Sequence, residues 1–589
     1  MTRLQPLRHL ALAATLAAAG AALAQPDPAE SKALHALFER QFDDTMARNQ
    51  QWATYRGDLR FNDRLPDRSP AAEAAADEAQ RRFLAEARAI RRERLSPGDR
   101  ISLDVFIGAR EQAIAAQAFD GWRGMGVSAL GGVQSEFADL MLVVPMGSAA
   151  QVRQLLARMA AYPRLVEQNL DRLRRSQAAG WVPAAPVLER ALANLDAQLA
   201  LPLEQSPYLA PFRRMGSTIP AAERDALQAE GRAAVERDVL PALRRLRAYL
   251  ADEARPRAPA DGSFAHYPQG PAVYAMLVRQ MTTTRLEPRQ IHELGQRELA
   301  RARAGMEAVM QEVKWAGDFP SFVNHLYTDP KFFHPSPDAL LAGYRDIAKR
   351  IDSELPRLFA ELPRVPYGVR AMPAFRGPDA AEYYDRPPLD GSRPGWFNAN
   401  AAGYRAKPTW SMATLAAHEG APGHHTQNAR AMELPALPEF RRNGWYPAYG
   451  EGWALYAETL LGEVGLYDDP YARFGHLQSV AFRAARLVVD TGIHTMGWTR
   501  QQAIDFMVER TGMNRGFLSS EVDRYTSVPA QALSYMVGQL KIRELRERAA
   551  TALGPRFDLR RFHNAVIDSG PLPLDVLEGV IDDWIAAQR

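Results

Sequence analysis

No cysteine occurs among the 589 residues. The chain therefore forms no disulfides, and its stability has to come from packing. A net charge of one sign is also missing: 72 basic residues face 69 acidic ones, for a formal charge of +3. That balance gives no whole-protein field to draw in nucleic acid or a membrane surface, so any ionic selectivity is local. Past the first two dozen residues no stretch is long and apolar enough to span a bilayer, so stable membrane insertion is not expected. Histidine is sparse as well, at 12 residues, which makes any cluster of it informative. What is present is ordinary: 47% hydrophobic and 24% charged residues suit a globular protein and argue against wholesale disorder.

The N-terminus carries an address. Arg3 and Arg8 precede an almost unbroken apolar run from Leu10 to Leu23, closed by Ala22-Leu23-Ala24. A basic start, a short apolar core and small residues at the cut site form a secretory signal, so residues 1–24 are expected to be removed between Ala24 and Gln25. The run is shorter than the roughly 20 residues of a spanning helix, and Pro26 and Pro28 follow it. With no cysteine to carry a lipid at the cut site, the expected product is a periplasmic or secreted protein and not a lipoprotein.

Most of the mature chain reads as helix. Segments 31–48, 71–94, 145–178, 185–201 and 221–254 are rich in Ala, Leu, Glu, Arg and Gln. Their apolar residues recur at three- and four-residue steps, as in Val152, Leu155, Leu156, Met159 and Val166. Clustered Pro and Gly at 255–270 mark a boundary between an N-terminal helical region (25–254) and a C-terminal catalytic helical region (271–589). Helix resumes over 287–314 and 337–362. Pro and Gly are again frequent from about 365 to 408, where a small β element is expected, and 395–401 reads as an extended strand, either a sheet edge able to pair with a peptide or an ordinary buried strand. From Thr409 onward helices dominate. The fold class is mainly α.

Chemistry concentrates in Ala416-Ala417-His418-Glu419-Gly420-Ala421-Pro422-Gly423-His424-His425-Thr426-Gln427, where three of the twelve histidines fall within eight residues beside a glutamate. Two His four apart on a helix, with a Glu after the first, hold zinc and supply a base. Here the fourth residue after His418 is Pro422, which cannot ligate, and His424 and His425 follow six and seven residues on. A straight helix would separate the imidazoles by roughly 9–10 Å of rise, too far for one ion. A break at Pro422-Gly423 would bring one of them back over His418. The Gly before it favours His424, and His425 stays open as the alternative.

A third ligand is expected from Tyr449-Gly450-Glu451-Gly452-Trp453-Ala454-Leu455-Tyr456-Ala457-Glu458. Glu451 and Glu458 are seven apart and share one helical face. Glu451, with glycine on both sides to let backbone and metal approach, is the expected ligand, and Glu458 the group that orients a histidine. The donor set favours one Zn2+ per chain, though manganese or cobalt suits the same ligands.

Together, His418-Glu419-x-x-Pro422-Gly423-His424-His425-x-Gln427 and Glu451 through Glu458 resemble the DUF885 family of bacterial proteins. Further matches are Arg486 through His494, Arg524-Tyr525 through Tyr535, and Phe562-His563 with Gly570 through Leu574. The resemblance implies a mainly helical fold with a deep cleft, similar to helical zinc peptidases of the gluzincin type, whose ligands are two His and a Glu. It implies a reaction class better than a substrate.

On that reading Glu419 is the base that deprotonates water and passes the proton to the leaving amine. His494, Tyr525 and Tyr535 are the candidate donors to a developing oxyanion. Asp490, four residues before His494, would fix that imidazole's tautomer. Arg524 is the candidate for gripping a substrate carboxylate, with a buried structural ion pair as the equal alternative. The expected function is an exported zinc metallopeptidase acting on oligopeptides. A zinc hydrolase of another amide or ester, and a non-catalytic binding or storage protein, are the alternatives, and Glu419 speaks against the last because simple binding needs no base.

Overall fold

The computed structural model describes residues 26–127, 131–373, 381–387, 393–434, 437–442 and 444–589. The expected signal at 1–24 lies outside them. The fold is mainly α, with one small sheet. Among the described residues no helix is long and apolar enough to cross a membrane.

Local chemistry sets the helix ends. The segment expected to begin at 145 becomes helical at Ala149, because Ser148 and Gln151 form a reciprocal capping box at its start. The segment expected over 221–254 is helical throughout but widens into π turns at Val235–Val239 and Tyr249–Ala254. The first widening sits just before Pro241, whose missing N–H and bulky ring an ordinary α turn would not accommodate. Pro337–Leu358 stops short of residue 362, and the amides of Ala360 and Glu361 turn to the Asn564 side-chain oxygen instead, each at 3.0 Å.

Two large apolar clusters form the interior. One runs from Leu65 to Ala254. The other runs from Phe264 to Ile585 and also takes in Val105 and Trp181 from the N-terminal part of the chain. The helix Pro470–Thr495 lies deep in the second, with nearly every residue from Val480 to His494 buried. It packs closely along Pro288–Glu312: a Cβ on Gly295 would meet the Leu487 Cβ at 2.7 Å and the Ala484 carbonyl at 2.9 Å, so only glycine permits that approach.

The sheet has three strands, β1 (Tyr367–Ala371), β2 (Tyr383–Asp385) and β3 (Gly395–Ala399), in the order β1-β3-β2. β3 pairs parallel with β1 and antiparallel with β2. Of the two readings of this strand, a sheet edge or a buried strand, the structure has the second: β3 is the central strand. Its backbone groups are used on both sides, and Phe397 and Ala399 are fully buried, which explains its apolar character.

Candidate metal centre

The helix Thr409–Glu419 ends inside the motif, and a new helix, His424–Glu433, begins after four intervening residues. Between them the chain folds back on itself. The Gly423 amide donates to the Ala417 carbonyl at 2.9 Å, and the His425 amide to the Gly420 carbonyl at 3.0 Å. A Cβ on Gly423 would lie 2.2 Å from the His418 carbonyl oxygen, so the turn tolerates only glycine. From the neighbouring helix the Trp453 indole N–H pins the Pro422 carbonyl at 3.0 Å. This reversal brings the His418 and His424 rings to 4.9 Å between centroids, nearly perpendicular at 84°.

Glu451 completes the group from the helix Pro447–Glu463. Its Oε2 lies 3.6 Å from His418 Nε2 and 3.4 Å from His424 Nε2. One donor atom from each of the three residues falls within 4.8 Å of the others. Ligands on zinc at bonds of about 2.0–2.1 Å in tetrahedral array stand ~3.3–3.5 Å apart, close to the two distances from Glu451 to the histidines. Such separations are long for direct hydrogen bonds, so the three side chains converge on a shared point more than on one another. The donor set and its spacing fit a zinc ion. On the other side of the His418 ring, Nδ1 is held by Glu458 Oε1 at 2.8 Å, which leaves the Nε2 lone pair for a metal. Glu458 is itself fixed by the Ser479 hydroxyl at 2.8 Å, with Arg483 at 3.6 Å. The glycines beside Glu451 serve packing: a Cβ on Gly452 would meet Gly538 Cα at 2.5 Å, and one on Gly450 would meet the Trp445 ring at 2.5 Å.

The electrostatics follow from burial and from this pairing. Burial works to push the His418 imidazole down, but the Glu451 and Glu458 carboxylates overcome it and hold it up at about 9. Burial likewise works to raise Glu451 and Glu458. The two histidines hold Glu451 well below the usual carboxylate range, and Arg483 with His418 lowers Glu458. Glu419 behaves differently. Burial raises it, and the facing histidines only partly offset this. It is 7% exposed, and among the described residues its carboxylate has no hydrogen-bond or ion-pair partner. A carboxylate at the edge of a metal-binding group with no structural bond to keep is free to handle a proton.

The remaining candidates scatter. His425 turns away from the group, with Nδ1 on the Tyr384 hydroxyl at 3.0 Å and Nε2 on the Val365 carbonyl at 3.0 Å, so both ring nitrogens are spent on the sheet region. His494 does not join the site either: it is fully buried against Phe264 and Tyr274, with Nε2 at 3.2 Å from the Tyr525 carbonyl. Asp490 does not orient it. Its carboxylate accepts from the Tyr274 hydroxyl at 2.6 Å and the Ala530 amide at 3.1 Å. Of the proposed oxyanion donors, Tyr535 is beside the metal group, its ring near-parallel to His418 at 6.4 Å. Tyr525 and Arg524 lie in an adjoining polar cluster around Glu521, bonded at 3.1 Å and 3.0 Å. Arg486, which opens one of the family-like segments but has no role read from sequence, joins that cluster, and Trp445, which no motif includes, is 51% exposed with its ring 6.4 Å from His424. Their roles carry no local signal, since both contacts arise between segments distant in sequence.

A profile describing bacterial proteins of unknown function (DUF885) matches residues 51–581. No curated protein matches in sequence. Among solved structures, a candidate lipoprotein from Colwellia psychrerythraea is similar, with 27% identity and a TM-score of 0.87 over 95% of this chain and 99% of that one. A candidate lipoprotein of unknown function from Shewanella oneidensis has 18% identity and a TM-score of 0.75, over 92% and 98% of the two chains, and shares the fold.

Proposed function

The chain belongs to the DUF885 family of bacterial proteins, and from that premise and the site's geometry we propose that it is an exported zinc-dependent metallopeptidase acting on oligopeptides. The observation that carries the reading is the unpartnered, buried Glu419 carboxylate set beside a His418, His424 and Glu451 group of zinc-like spacing. A storage or scaffold site needs the three ligands and has no use for the fourth group. Export is read from residues 1–24, and the absence of cysteine separates this chain from lipid attachment at the cut site.

Zinc held by His418, His424 and Glu451 would supply a Lewis acid and lower the pKa of water to near 7. Glu458 keeps the His418 Nδ1 proton in place so that Nε2 faces inward. Glu419 takes the proton of the attacking water and delivers it to the leaving amine nitrogen as the C–N bond breaks. Tyr535 is the donor beside His418 for the developing oxyanion. His424 and Glu451 keep 11% and 14% side-chain exposure, enough for the site to be reached from solvent.

The test is Glu419→Gln in zinc-loaded protein. It removes the base and keeps the shape, so zinc should stay at about one per chain by metal analysis while kcat on a peptide library falls by at least ~100-fold. Activity equal to wild type on every cleaved peptide would sink the mechanism.

A further inference from the structure

Next to the metal group, across the Tyr535 ring, Arg486 and Arg524 form a built cationic cluster that the hydrolytic step does not use. The Tyr535 ring stacks on His418 at 6.4 Å, and the Arg486 guanidinium lies over the same ring at 4.6 Å and over Phe482 at 4.1 Å. Arg486 Nε donates to the Tyr525 hydroxyl at 3.2 Å and Nη2 to Glu521 at 2.8 Å. Its third nitrogen, Nη1, is buried and has no partner, although the residue is only 6% exposed. Arg524 shares the same carboxylate and is fully engaged: Nε and Nη2 donate to Glu521 at 3.2 and 3.0 Å, and Nη1 to the Gln531 side chain at 2.6 Å. Two guanidinium groups therefore share one carboxylate, leaving a positive charge in excess and one rigidly held donor unclaimed. A buried charged donor left unbonded is costly, and an arriving anion offsets that cost.

We infer that Arg486 receives the free C-terminal carboxylate of the substrate, so that the enzyme works from the carboxyl end of peptides. This rests on the peptidase reading above and assigns its substrate class. Arg524, the residue that sequence analysis gave this task, instead positions Glu521 and through it Arg486. The reach from His418 across Tyr535 to Arg486 is covered by at most about three extended residues at ~3.5 Å each, so cleavage falls within the last three residues.

The experiment uses zinc-loaded protein and matched pairs of peptides identical except for a C-terminal carboxylate or carboxamide, with products read by mass spectrometry. Wild type should release one to three residues from the acid, with kcat/KM at least ~10-fold above the amide. Arg486→Gln should bring the acid-to-amide ratio of kcat/KM close to one with zinc content unchanged, and Arg486→Lys should restore part of the preference. Should Arg486→Gln fail to fold, the wild-type acid–amide ratio decides alone. Equal wild-type rates on acid and amide, or cleavage far from the C-terminus, would overturn the inference and leave the hydrolase reading standing. No cleavage of any peptide would overturn both.

Discussion

Replacing Glu458 by glutamine changes one atom of a group that would never touch the metal. The carboxylate accepts from His418 Nδ1 at 2.8 Å, is fully buried, and has the Arg483 guanidinium 3.6 Å away. It holds His418 in the tautomer that frees Nε2, and its charge makes that nitrogen a stronger donor to a cation. Glutamine keeps the volume and an acceptor oxygen but loses the charge, turning a charge-assisted hydrogen bond into a neutral one. Such bonds differ by about 1–2 kcal/mol, so zinc affinity should fall ~5- to 30-fold. The assay is competition for zinc against a chromophoric chelator at pH 7.5, with helix content followed by circular dichroism to establish that the fold is intact. An affinity within twofold of wild type in a folded variant would refute the reasoning, because Glu458 would then be a packing residue and nothing more.

The two adjacent histidines separate cleanly: His424→Ala should lose stoichiometric zinc, whereas His425→Ala should keep it and instead loosen the sheet contacts through Tyr384 and Val365. Zinc retained by His424→Ala and lost by His425→Ala would reverse the ligand assignment. Acid should destabilise the protein. Burial depresses His476 and His494 to about 4 and His563 to about 3, so below pH 6.5 the unfolded chain binds protons that the folded chain refuses, and the stability these groups give above pH 6.5 is lost as pH falls through the folded values. Asp490 acts in the opposite sense: burial raises it to about 7, so its contribution is complete below the ordinary carboxylate pKa of about 4 and is lost as pH rises through 7. Burial depresses His425 to about 4 as well, and four groups against one leave an uptake of about 2.5 protons on unfolding near pH 5.5, or roughly 3–4 kcal/mol per pH unit. Denaturant midpoints at pH 6.5, 5.5 and 4.5 measure it, and a midpoint that holds or rises on acidification would contradict the sign.

The sequence by itself determined the helical class, because three- and four-residue periodicity and helix-forming composition need no partner to be read. It also determined that the motif cannot be a straight helix: Pro422 stands where a ligand would be, and the rise per residue forbids His418 and His424 from sharing an ion without a reversal. The seven-residue step from Glu451 to Glu458 likewise placed both on one face, and both meet the same His418 ring from opposite nitrogens. Only the tertiary structure decided between His424 and His425, since the choice turns on which imidazole is drawn off by Tyr384 and Val365, residues 41 and 60 positions away. It also decided that 395–399 is a central strand, because a strand's place in a sheet depends on what pairs with its second edge. It took His494 and Asp490 out of the site. Their four-residue spacing allowed a pair, but the aromatic packing around Phe264 and Tyr274 and the Ala530 amide offered each a different bond. The role of Arg486, which stands in a family-like segment, was hidden for the same reason. An unclaimed donor is defined by what every neighbouring element fails to supply, and no local pattern records that.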